Sequence, residues 1–116
     1  MLETLSLRKL MESCERRLQA FRAKLHAHTI NPLEFHRRLC GLELAYALAD
    51  HLRLRGFDEV YVPREGEAVT YRDGWLPLHG SDLMKFLKAL SAAGLQRMYL
   101  QVASNYYFPT PSIKII

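Results

Sequence analysis

The chain has 116 residues, a net charge of +4, 49% hydrophobic and 24% charged residues, and two cysteines. That length supports a single domain with a core of its own, needing neither disulfides nor metal. No apolar run reaches the ~18 residues of a membrane span, and Met1-Leu2-Glu3 lacks secretory-signal character. With Cys14 and Cys40 both on apolar helical positions, as buried free thiols, the expectation is a cytoplasmic protein without membrane contact.

The first predicted helix runs from about Ser6 to His28. Leu7, Met11, Cys14, Leu18, Phe21 and Leu25 repeat at spacings of four and three, a narrow heptad seam. The short loop near Thr29–Asn31 turns the chain back, so the seam pairs with the next helix in an antiparallel hairpin. The same seam shared with a second copy, with Leu2, Leu5 and Leu10 as a further contact, makes a homodimer.

Residues 31–56 form the predicted central helix. Asn31 is its N-cap, Pro32 stands at the first helical position, Glu34 follows three residues after the cap, and Gly56 ends it. Phe35, Leu39, Leu42, Tyr46 and Ala49 make one apolar row. Cys40, Leu44, Ala47, Leu48 and Leu52 make another beside it. So wide an arc calls for cover on two sides, a helix on one and a sheet on the other.

Beyond Gly56 the period becomes alternating. Glu59–Val62 reads as a strand ended by Pro63. Ala68–Arg72 and Trp75–Leu78 read as a hairpin about Asp73-Gly74. That turn sets Arg72 opposite Trp75, with Val69, Tyr71, Leu76 and Leu78 facing the core. Trp75 and Pro77 face away, and Pro77 marks an edge strand. Ser81 caps a third helix over 82–93, with Leu83, Phe86, Leu87 and Leu90 as its buried stripe and Gly94 as its stop. Leu95–Val102 alternates and reads as a last strand. The apolar tail 104–116, with Tyr106, Tyr107 and Phe108, docks on its own domain or on a partner. The expected fold is α+β, in the order α-α-β-β-β-α-β: an N-terminal antiparallel helical hairpin (1–30 and 31–56) packed on a small, mainly antiparallel sheet (within 57–103).

Residues Leu42–Leu95 resemble the helix, three strands, helix arrangement of double-stranded-RNA-binding domains, and the HicA family of mRNA interferase toxins in particular. The similarity rests on Leu54-Arg55-Gly56-Phe57 closing a helix, Gly66 before the hairpin, Pro77-Leu78-His79 after it, and Ala93-Gly94-Leu95. The resemblance implies RNA binding, and a catalytic histidine in the loop before the second strand. That loop, Arg64–Ala68, carries no histidine, and no catalytic role passes to His79.

The charge is uneven. Residues 1–38 hold eight Lys/Arg against four Asp/Glu, and the remainder balances. Arg22, Lys24, His26 and His28 end the first helix, where its dipole favours cations. His36, Arg37 and Arg38 begin the second, where the dipole opposes them. With Arg16 and Arg17 they form a candidate patch for nucleic-acid phosphates. His36 and Cys40 lie one turn apart, yet no zinc-type spacing accompanies them. No phosphate-binding, dinucleotide or hydrolase motif is present, so no metal or cofactor is expected. The leading expectation is a small non-catalytic protein that binds nucleic acid or a nucleoprotein through a basic helical tip. A second is a regulator or inhibitor docking on a protein partner through Arg72, Trp75, Tyr106, Tyr107 and Phe108, the heptad seam or the tail. A third is an RNA-cleaving toxin.

Overall fold

The computed structural model describes residues 4–27, 31–63 and 74–103. Its elements are β1 (Thr4–Ser6), α1 (Leu7–His26), α2 (Pro32–Leu54), β2 (Glu59–Tyr61), β3 (Trp75–Pro77), α3 (Gly80–Ala92) and α4 (Gln96–Ala103). The fold is α+β, with an N-terminal helical hairpin beside a small sheet.

Local chemistry sets the ends of the hairpin helices. The Ser6 side chain accepts from Lys9 N at 3.3 Å and starts α1. Asn31 Oδ1 accepts from Leu33 N at 2.8 Å and Glu34 N at 3.4 Å, covering two orphan donors of α2. At the far end Gly56 takes φ +99° and lets Phe57 N donate back to Leu52 O at 3.0 Å. The cap of α3 is not Ser81 but His79, extended at φ −154° and without a side-chain cap bond.

The seam of α1 joins α2 as expected. Leu7, Met11 and Cys14 are buried, Leu18 and Phe21 half-buried, and Leu25 is at the wet end. The Phe21 and Phe35 rings meet edge to face at 6.3 Å near the tip. Leu5 and Leu10 belong to this chain's own core, so they are not the second-copy contact that the sequence suggested. The other neighbour of α2 corrects the expected sandwich: it is α3, not the sheet. Gly41 makes this crossing. A Cβ there would meet the Ala92 carbonyl group and lie 2.6 Å from Ala93 N. Cover by two helices leaves a flank of α2 wet. Of the second apolar row, Cys40, Leu44 and Ala47 are exposed, because α3 reaches only the side marked by Gly41.

The sheet has the order β1-β2-β3 among the described residues. β1 runs antiparallel to β2 and pairs Leu5 with Val60, while β3 runs parallel to β2 and pairs Val60 with Leu76. The sheet is therefore mixed. Among the described residues β3 is an edge strand, a position that suits Pro77. Its pairing opens at Gly74, whose carbonyl accepts from Asp58 N at 2.6 Å and Glu59 N at 3.0 Å. The expected strand 68–72 and the Arg72–Trp75 register lie outside the described residues.

Two elements differ from expectation. Thr4–Ser6 is a strand, with Leu5 buried between half-buried neighbours. The expected last strand is instead the helix α4. Leu95, Met98, Tyr99 and Val102 fit helical spacing as well as Met98, Leu100 and Val102 fit alternation. The helix prevails because Leu95 and Val102 are buried whereas Leu100 is 55% exposed. α4 closes the free edge of β1, since Gln101 Nε2 donates to Thr4 O at 2.5 Å.

Candidate nucleic-acid interface

The basic side chains that begin α2 do not all point the same way. Arg22, Lys24 and His26 are exposed in the last turns of α1, with Lys24 Nζ 5.7 Å from the Phe21 ring centroid. His28 lies outside the described residues. His36 and Arg37 point to the wet flank of α2, where His36 Nε2 lies 3.7 Å from Cys40 Sγ. Arg38 turns the other way and is half-buried. Its guanidinium fills the space a Cβ on Gly94 would take, and Arg17 Nη1 lies 3.9 Å from the same point.

Gly94 follows the C-terminal end of α3 and has φ +73°. Leu95 N donates across it to Leu90 O at 3.0 Å, closing the helix. The dipole that opposes Arg38 on its own helix is thus countered by the negative end of α3. Arg38 has a structural reason to be where it is.

Arg16 and Arg17 sit elsewhere than the tip. They line a groove of about 980 Å³ formed by α1, β1, β2 and α4. Lys9, Arg16 and Arg17 enter from α1 and Arg97 from the first turn of α4, with Glu12 and Glu59 as the opposing carboxylates. Ser13 and Ala20, small residues on the same side of α1, leave the floor open. Arg16 Nη2 donates to Ser13 Oγ at 3.1 Å, which sets its direction. The sequence reading missed Lys9 and Arg97. The spacing of Lys9, Ser13, Arg16, Arg17 and Ala20 along one side of the seam was a usable signal. Arg97 joins only because 96–103 is helical and lies against β1.

Trp75 is half-buried, with its ring 5.7 Å from that of buried Tyr61. The parallel pairing of β3 with β2 puts the two rings side by side. Arg72, Tyr106, Tyr107 and Phe108 lie outside the described residues. No group of three or more His, Cys, Asp or Glu among the described residues is placed to hold a metal ion. None of the described helices is long and apolar enough to cross a membrane.

The thiols differ sharply, and Cys40 is exposed rather than buried. Burial pushes the Cys14 thiol from 9.0 to about 11, with Glu15 adding and Arg17 opposing. In the unfolded chain that thiol ionises near its ordinary value. Between about pH 9 and 11 the unfolded state therefore loses a proton that the folded state keeps. Stability should fall across that window by about 2–3 kcal/mol, and denaturant midpoints of wild type and Cys14→Ala measure the share due to this group. Tyr46, raised by desolvation and then by Glu15 and Asp50, acts in the same direction. At neutral pH a thiol reagent should titrate one cysteine in the native protein and two after denaturation. Two fast native thiols would contradict this placement.

The chain matches no family model, no curated protein and no solved structure.

Proposed function

We propose that this is a small non-catalytic binding protein that contacts nucleic acid, alone or within a nucleoprotein, through the groove between α1 and α4. The observation that carries the reading is the convergence of Lys9, Arg16, Arg17 and Arg97 on one concavity, against two carboxylates. Arg38 extends the positive charge behind Arg17. Cations drawn from separate elements into one groove match what neutralising a row of phosphates requires. Backbone contact without sequence preference follows.

Arginine-selective modification, read by mass spectrometry with and without saturating duplex RNA or DNA, tests the surface. Arg16, Arg17 and Arg97 should be protected, while Arg22 and Arg37 react unchanged. Protection confined to Arg22 and Arg37 would move the interface to the tip, and no protection would end the proposal.

A further inference from the structure

The geometry points to a second copy of this chain as the occupant of the wet flank of α2, in an antiparallel helix pair. Leu33, Arg37, Cys40, Leu44, Ala47, His51 and Leu54 repeat at four and three along the whole helix, and every one of them is exposed. Leu33, Leu44 and Leu54 are 75%, 51% and 80% exposed. The row extends over about 32 Å. It is separate from the α1 seam, which is already used against α2 within the chain. A shallow apolar depression opens beside it between Leu33, Cys40, Leu44 and Ala92.

The order of side chains along the row says what covers it. About Leu44 it reads the same in both directions: leucine, basic or imidazole group, small residue, leucine, small residue, imidazole or basic group, leucine. A two-fold interface needs a surface complementary to itself. With the helices antiparallel about Leu44, Leu33 meets the other copy's Leu54 and Cys40 meets its Ala47. The flanks agree in charge. Glu34 on one side approaches Arg55 of the second copy, and His36 on the other approaches Asp50, as flanking positions do in an antiparallel pair. Arg37 meets the imidazole of the other copy's His51, and the one pair of like formal charges is Glu43 with itself. A parallel pair would set Arg37 against Arg37 and His51 against His51, and would forfeit the Glu34–Arg55 match.

Sedimentation equilibrium of the full chain over a range of concentrations tests the pairing. A monomer–dimer equilibrium is expected. Leu44→Glu should make it monomeric at every concentration, with circular dichroism unchanged because that side chain is already half in water. Mild oxidation tests direction. Ala47→Cys should form a covalent dimer through Cys40 of one copy and the introduced thiol of the other, whereas wild type should not. A monomeric wild type, or a dimer indifferent to Leu44→Glu, would overturn the proposal. A Cys40–Cys40 link in wild type would overturn the antiparallel arrangement.

Discussion

Gly41→Ala should destabilise the protein by about 2 kcal/mol, although alanine is the better helix former by about 1 kcal/mol. On an open helix surface the change would stabilise. Here the added methyl meets the Ala92 carbonyl and Ala93 N, both backbone atoms, so no side chain can rotate away. Either α2 and α3 separate, which opens the core around Leu42, Leu87 and Leu90, or the end of α3 unwinds. Overpacking of ~3 kcal/mol outweighs the propensity gain. For a domain of this size the thermal midpoint should drop by roughly 10 °C. A Gly41→Ala protein as stable as wild type would show that α2 and α3 do not cross at this point.

Arg16→Glu combined with Arg17→Glu should weaken duplex binding by about 100-fold at low salt, because two charge-assisted contacts are lost and two repulsions are gained. Both side chains are exposed on α1, so stability should change by less than about 0.5 kcal/mol. The salt dependence should change with the affinity. Each phosphate contact contributes close to one to the logarithmic slope, so the double variant should lose about two. Arg22→Glu, at the tip and outside the groove, serves as the control and should leave the slope nearly unaltered. Equal losses from Arg22→Glu and the groove variant would mean that overall charge, not the groove, governs binding.

Much of the helical framework was legible because its signals are local. Asn31 and Ser6 cap through their own side chains, and Gly56 and Gly94 stop helices by adopting a conformation that other residues resist. The α1 seam names its partner because the loop after it is too short for any other. What escaped was decided at long range. Leu95–Val102 carries both periods, and only the burial of Leu95 and Val102 against other elements chooses the helix. Three residues, Thr4–Ser6, are too few to show alternation, so β1 exists through its pairing with β2. Nothing local marks Gly41 as a crossing point, because the backbone it meets at Ala92 and Ala93 is about fifty residues away in the chain. The candidate groove inherits these limits. Arg16 and Arg17 were visible as a basic pair, but Arg97 reaches them only through α4, and Arg38 turned out to serve the end of α3.

The most direct measurement is the affinity of the wild-type protein for a labelled duplex as salt rises from 50 to 200 mM. Four groove cations on phosphates should give a logarithmic slope of about −3 to −4, a loss of roughly 100-fold across that range. An affinity that stays level with salt, or no binding at the low-salt end, would contradict a phosphate-gripping groove.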